Sequence, residues 1–239
     1  MLVPMTADSN ALKRAAAARA LDYVREGMKL GLGTGSTAEI FLELLSPRVR
    51  GGLNLLCVPT SERTATKARA LGLSLASLDD TAPLDLTVDG ADEADRELTL
   101  IKGAGGALLR EKIVAASSKR MIVIADESKL VARLGKFTLP VEVVEFGHKT
   151  TVARLAAAVA ALGYAGVTMT LRGKDGAAFR SDSGNLIYDC AFGAITSAVK
   201  LAQAIADIPG VVEHGLFIGI ATTLLIAHPG EVEIIERGK

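Results

Sequence analysis

Apolar residues along the chain keep two different rhythms. In the first half, short runs at 28–33, 53–58, 98–101 and 121–125, with a β-rich one at 84–88 that ends at Asp89, suit strands and are too short for helices. Between them, 11–26, 37–45, a stretch from Ser61 to Gly72 and another from Gly105 or Gly106 to Ser118 repeat their apolar residues at helical spacing. Ile40, Phe41, Leu44 and Leu45 fall on one such face, behind a cap at Ser36 or Thr37. Residues 1–10 read as a loose start in which Asp8, Ser9 and Asn10 are all candidate caps for the first helix. Strands alternating with helices predict a parallel sheet with helical crossovers, and such sheets bind ligands beyond the carboxyl ends of their strands.

From about Leu134 the rhythm changes. Runs at 139–146, 167–171, 178–191 and 211–217 read as strands, and the stretches 150–162 and 196–206 read as helices. Ser181-Asp182-Ser183-Gly184-Asn185 interrupts the third run with hairpin-turn chemistry, and Pro209-Gly210 ends the second helix. The order βαββαβ predicts a ferredoxin-like unit. Two last runs, 222–227 and 232–235, are expected to return to the first domain. The expected fold is therefore α/β: a Rossmann-like parallel-sheet domain over 1–133 and 220–239, plus a smaller ferredoxin-like α+β domain over 134–219.

Composition narrows the function classes. Of the 239 residues 49% are hydrophobic and 4% aromatic, a mix that suits packed helices and buried strands. Lys plus Arg and Asp plus Glu are both 27, and no basic stripe recurs, which argues against nucleic acid as a partner. Cys57 and Cys190 stand far apart without a CxxC pairing, so no disulfide framework is expected. His148, His214 and His228 lack metal-ligand spacing, so no metal is expected either. No apolar run reaches the roughly 18 residues of a membrane span, and the N-terminus lacks a secretory layout. These readings predict a soluble cytoplasmic protein without membrane partners, and the apolar composition points to a homodimer or tetramer.

Two segments carry candidate chemistry. Gly31-Leu32-Gly33-Thr34-Gly35-Ser36-Thr37 sits where a strand hands over to a helix. It departs from the dinucleotide fingerprint, with Ser36 in the sixth position and no acid at the end of the next strand, and it lacks the lysine of a P-loop. What remains is a helix N-terminus with bare N–H groups beside the Thr34, Ser36 and Thr37 hydroxyls, either a phosphate site or a simple capped turn. The second segment holds Asp89-Gly90-Ala91-Asp92, Lys102, the turn Gly103-Ala104-Gly105-Gly106, and Glu111. Asp89 and Asp92 are close enough to repel unless a cation such as Lys102 lies nearby, or they cap a local turn. Glu93 and Asp95 read as exposed turn residues. Glu111 shares a helix face with Ala107, Leu108, Val114 and Ala115, so it is expected to look inward, where apolar surroundings raise a carboxylate's proton affinity. Lys129 follows another strand end, to neutralise a phosphate or simply to lie on the surface.

In this order these residues resemble ribose-5-phosphate isomerase of the A type. The matching blocks are GLGTGSTA (31–38), DGADE (89–93), KGAGGALLREKIVA (102–115), ADESKLV (125–131), GKFTLPVEV (135–143) and VEHGLF (212–217). The resemblance implies a Rossmann-like plus a ferredoxin-like domain, no metal or organic cofactor, and interconversion of the sugar phosphates ribose 5-phosphate and ribulose 5-phosphate. It makes Glu111 the base that moves a proton between C1 and C2 through an enediolate. It has Asp89 assist ring opening, while Asp92 and Lys102 bind hydroxyls and steady the oxyanion with the N–H groups of Gly103, Ala104 and Gly105. Thr34, Gly35, Ser36 and Thr37, with Lys129 and Lys13, would hold the substrate. One departure is Ala104, where the pattern is expected to have glycine; alanine fits there if its φ is negative. Rival readings are a CoA-transferase-like enzyme or aminosugar-phosphate isomerase of related fold, and a sugar-phosphate sensor domain that could dispense with Glu111.

Overall fold

Four runs of the first half, 28–33, 53–58, 84–88 and 121–125, supply strands to one six-stranded sheet, and the fifth, 98–101, does not. The computed structural model describes residues 9–174 and 176–237, so the loose start and its candidate cap Asp8 lie outside the described residues, apart from Ser9 and Asn10. Across the sheet the strands run Glu231–Glu236, Thr223–His228, Met121–Asp126, Leu86–Asp89, Lys29–Leu32 and Leu56–Pro59. All neighbours are parallel except the first pair, a hairpin. Met121–Asp126 and Leu86–Asp89 are buried at every position, as strands covered on both faces must be, whereas Glu231–Glu236 mixes exposed and half-buried residues as an edge strand does.

Helices Ser9–Ala20, Ser36–Arg50 and Glu62–Ala70 pack in the same unit. The first ends before the expected residue 26 and passes into a 3₁₀ turn, Leu21–Tyr23. The second outruns its expected end at 45 and buries Phe41, Leu42 and Leu45, with Ile40 and Leu44 packed alongside. Their partners are Leu30, Leu32, Val88, Ile122 and Ile124 from the central strands. Lys29–Leu32 has Leu56–Pro59 on one side and Leu86–Asp89 on the other. The strand order therefore reverses between Lys29–Leu32 and Leu86–Asp89, the place in an open α/β sheet where a crevice forms at the carboxyl ends.

The second sheet is antiparallel and has four strands, in the order Val211–His214, Leu139–Val143, Leu186–Ala191, Thr168–Leu171. Numbered along the chain this is 4-1-3-2, and the helices His148–Ala161 and Ala198–Ala206 complete a βαββαβ unit. Leu139, Val141 and Val143 meet Leu155, Val159, Leu201 and Ile205 in its core. The turn at 181–185 forms as its chemistry predicts, with the Ser181 N–H donating to Asn185 O and the Gly184 N–H to Ser181 O.

One strand departs from the expectation. The run 211–217 breaks at Gly215, after which Leu216–Phe217 joins a separate small sheet with Leu100–Ile101 and Glu93–Ala94. A Cβ on Gly215 would lie 2.2 Å from the Lys102 carbonyl oxygen, so only glycine lets the two chains approach this closely. The Gly215 N–H donates to Pro140 O, and its carbonyl accepts from the Lys102 N–H.

By internal contacts one unit comprises Met1–Ala91, Val114–Leu130 and Ala221–Lys239, and the other Asp92–Ile113 and Val131–Ile220. Residues 92–113, assigned from the sequence to the parallel-sheet domain, thus pack with the antiparallel one.

Candidate active site

In the first unit the glycine loop and Asp89 are built against each other. The Gly33 N–H donates to Val88 O, which carries the chain from Lys29–Leu32 directly over the end of Leu86–Asp89. A Cβ on Gly33 would stand 2.2 Å from Asp89 Oδ1 and 2.6 Å from Asp89 Cα, so this approach requires glycine. Asp89 is fully buried, and its Oδ1 accepts from the N–H groups of Thr34 (3.1 Å) and Gly90 (2.7 Å). Such main-chain donors stabilise a carboxylate in a site from which water is excluded.

Thr34 sits differently from the sequence reading, which set its hydroxyl beside a ligand. Its Oγ1 is turned inward against the hydroxyls of Thr60 (2.8 Å), Ser61 (2.8 Å) and Thr64 (3.0 Å). Ser36 and Thr37 open the helix Ser36–Arg50, whose N-cap Gly35 offers no side-chain cap. The first-turn N–H groups, the helix dipole and the exposed Ser36 make an anion-binding end. Lys13 reaches it from helix Ser9–Ala20, donating from Nζ to Ser36 Oγ at 3.1 Å. Lys129 is half-buried in the 3₁₀ turn Glu127–Lys129, just past the carboxyl end of Met121–Asp126 and so on the same edge of the sheet.

The second unit holds the other group. Lys102 leaves the short strand Leu100–Ile101, and Glu111 lies in helix Leu108–Ala116 on the buried face it shares with Leu108, Val114 and Ala115. Lys102 Nζ stands 3.4 Å from Glu111 Oε2, and the two side chains are 3% and 4% exposed. Phe217 supplies a floor: Lys102 Nζ is 5.7 Å and Lys112 Nζ 5.0 Å from its ring centroid, within cation–π range. Asp92 Oδ2 accepts from the Ala104 N–H at 2.9 Å, tying the acid to the turn after Lys102. Gly103 has φ +115° and Gly106 φ +76°. Among the described residues Leu98 is the one non-glycine with positive φ, so Ala104 has a negative φ and is unstrained.

A buried carboxylate beside an ammonium, next to a turn with exposed peptide groups, can remove a proton adjacent to a carbonyl and stabilise the resulting oxyanion. A helix N-terminus with a lysine can hold a phosphate. The family model described as ribose 5-phosphate isomerase A, phosphoriboisomerase A, matches residues 56–231. The chain belongs to the ribose 5-phosphate isomerase A family. A ribose-5-phosphate isomerase A of Rhodopseudomonas palustris strain BisB18 is 58% identical over 229 residues, covering 96% of this chain and 99% of the relative. Among solved structures, a ribose 5-phosphate isomerase from Plasmodium falciparum superposes with a TM-score of 0.91 at 38% identity, covering 96% of this chain and all of the other. A D-ribose-5-phosphate isomerase in complex with phospho-erythronic acid superposes with a TM-score of 0.90 at 35% identity and the same coverage. The α/β fold of the family is thus the fold seen here.

Glu93 needs a correction. Expected as an exposed turn residue, it is 3% exposed and its two carboxylate oxygens accept from the N–H groups of Gly135 (2.7 Å) and Phe137 (2.6 Å). Asp95 does occupy a turn, accepting from Glu97 N–H and Thr99 N–H, but it is half-buried, and burial raises its carboxyl pKa. Lys112 and His214 also escaped the sequence reading as a pair. Lys112 Nζ donates to Glu213 Oε1 (2.6 Å) and to His214 O (2.7 Å), anchoring the helix one residue after Glu111. No local pattern announces either feature; their partners come from far along the chain.

Proposed function

We propose that the protein interconverts D-ribose 5-phosphate and D-ribulose 5-phosphate through an enediolate, as an aldose–ketose isomerase of the non-oxidative pentose phosphate pathway. The buried Lys102–Glu111 pair at 3.4 Å, in a chain of this family, carries the reading. Glu111 takes the proton from C2 of the open-chain aldose and returns it to C1, while the hydroxyl proton passes from O2 to O1, so that C2 becomes the carbonyl. Lys102 and the Gly105 N–H of the turn stabilise the oxyanion that forms meanwhile; a donor aimed at developing charge contributes on the order of 3 kcal/mol. Asp92 binds a substrate hydroxyl and fixes the turn through its bond to Ala104. Asp89 assists ring opening. The phosphate is held by the helix N-terminus at Gly35, Ser36 and Thr37, with Lys13 and Lys129, while Thr34 steadies the loop through its N–H to Asp89. The phospho-erythronic acid bound by the structural relative is a phosphorylated sugar acid, the kind of ligand such a site suits.

Neither a metal nor an organic cofactor enters this reading, which describes a cytoplasmic homo-oligomeric enzyme. The experiment is ribose 5-phosphate in heavy water with a chelator present, followed by proton NMR. Ketose formation supports the proposal, and deuterium at C1 of the product marks an enediolate whose proton exchanges with solvent. Binding without any ketose would make the protein a sensor, and a hydroxylamine-sensitive glutamyl-CoA thioester formed on Glu111 when an acyl-CoA is supplied would make it a CoA-transferase-like enzyme. Either result overturns the isomerase reading.

A further inference from the structure

Arg172 and Asp189 belong to the antiparallel sheet and carry none of the roles above. Arg172 follows strand Thr168–Leu171, and Asp189 lies on the neighbouring strand Leu186–Ala191. The guanidinium grips the carboxylate with both prongs, Nε to Oδ2 at 2.9 Å and Nη2 to Oδ1 at 2.5 Å. Its remaining nitrogen, Nη1, donates to Gly103 O at 2.8 Å and to Ala104 O at 3.2 Å. The Arg172 guanidinium also lies 5.8 Å from the Phe179 ring centroid, and Phe179 in turn presses on the same turn, where a Cβ on Gly106 would meet its Cε1 at 2.4 Å.

We propose that Arg172, held by Asp189, is a positioning residue that sets the Gly103–Ala104 turn as an oxyanion-binding element. A peptide whose carbonyl is bonded to a cation cannot rotate, so its N–H direction is fixed with it. A carbonyl polarised by a guanidinium also makes the N–H of the same peptide a stronger donor. Arg172 does this for two successive peptides, those ending in the N–H groups of Ala104 and Gly105. Ala104 and Gly105 are exposed in the turn that follows Lys102, and Asp92 accepts the Ala104 N–H, which leaves the Gly105 N–H to meet an oxyanion. Asp189 fixes the guanidinium plane; lysine in place of Arg172 would keep the charge and lose the fork. The inference rests on the isomerase reading for its catalytic meaning and on the turn's own geometry for its positioning meaning.

The test uses the full-length protein with Arg172→Ala, Arg172→Lys and Asp189→Asn. Losing a direct oxyanion donor costs about 10²- to 10³-fold in kcat, so an indirect one is expected to cost about tenfold to a hundredfold, with KM for ribose 5-phosphate changed less than about threefold. Added guanidinium should restore part of the kcat of Arg172→Ala, which a purely structural defect would not allow. Hydrogen exchange, which needs no activity, should quicken at the Ala104 and Gly106 amides in each variant. If Arg172→Ala does not fold, the two milder variants give the same readings. Wild-type turnover with variant kcat within twofold, or unchanged exchange at 103–106, overturns the inference. A wild type that does not isomerise ribose 5-phosphate sinks the functional reading alone, and exchange then decides whether Arg172 holds the turn.

Discussion

Lys102 Nζ lies 3.4 Å from Glu111 Oε2 with both side chains all but buried, so a base and a positive charge are held as one unit. On the proposed reading, proton removal by Glu111 and stabilisation of the resulting oxyanion by Lys102 belong to the same step. Glu111→Gln keeps the shape and hydrogen-bonding capacity of the side chain and removes the base. It is expected to lower kcat by about 10²- to 10⁴-fold with KM nearly unchanged. Lys102→Met is expected to lose about 10²- to 10³-fold. Residues that act as a unit are not additive, so the double variant should fall close to the worse single one. Steady-state turnover of ribose 5-phosphate reads all three. A Glu111→Gln protein with near-normal kcat would remove the pair from the mechanism.

Gly33 against Asp89 is the second relationship with a sharp consequence. A methyl group at Gly33 would have to enter space already held by the Asp89 main chain, at 2.6 Å from its Cα, as well as by its carboxylate. Main chain in the middle of a sheet cannot swing away as the end of a long side chain can. Gly33→Ala is therefore expected to cost about 1–3 kcal/mol of stability, the usual range for overpacking, and to shift Asp89 out of place. Urea unfolding gives the first quantity and kcat/KM the second. A variant with wild-type values of both would mean that the loop yields at no cost and that Asp89 does not depend on it.

The sequence made local features legible and left long-range ones dark. The uninterrupted apolar residues of 121–125 announced a strand buried on both faces, and the structure buries every one of them; the β-rich run 84–88 forms the strand Leu86–Asp89, also buried throughout. Glu111 could be seen to face inward because its helix neighbours are apolar at the right spacing. The turn at 181–185 was legible in its serine, glycine and asparagine. Nothing near Glu93 reveals that its acceptors are met by main chain 42 and 44 residues away. Arg172 reads as an ordinary arginine at a strand end until the fold sets it 69 residues from the carbonyl it binds. The inward turn of the Thr34 hydroxyl likewise depends on Thr60, Ser61 and Thr64, which belong to another βα connection. Periodicity reports which face is buried; it does not report which distant polar group will be waiting there.

Glu93 supplies a stability prediction of its own. Its carboxylate is the acceptor for two main-chain N–H groups, those of Gly135 and Phe137, and it is buried with them. Truncation to alanine strands both donors, and each buried unsatisfied group costs about 1–3 kcal/mol. Glu93→Ala is expected to lose about 3 kcal/mol or more. Glu93→Gln keeps one acceptor oxygen and should lose less than half as much. Urea midpoints of the two variants give the comparison. Equal losses would show that the charge, and not the number of acceptors, decides the cost.

Acid sensitivity is expected to run through His214. Burial first, and then the ammonium of Lys112, push its imidazole from 6.5 down to about 4, while the Glu213 carboxylate pulls the other way. Its Nδ1 accepts the Leu216 N–H at 3.2 Å, a bond that requires the neutral ring. Below pH 6.5 the unfolded chain takes up a proton here that the folded protein refuses until about pH 4. The unfolded state thus binds more protons across that window, and stability must fall as the pH falls through it, by about 1.4 kcal/mol per unit at the steepest. His214→Gln should remove this part of the slope. Lys112→Met deletes a cause of the depression, so the His214 pKa should rise and the acid loss should shrink, even though the variant also gives up the bonds to Glu213 and the His214 carbonyl. Urea midpoints between pH 4 and 7, with NMR titration of the imidazole, measure both effects. An imidazole in Lys112→Met that titrates where the wild-type one does would mean that burial alone holds His214 neutral.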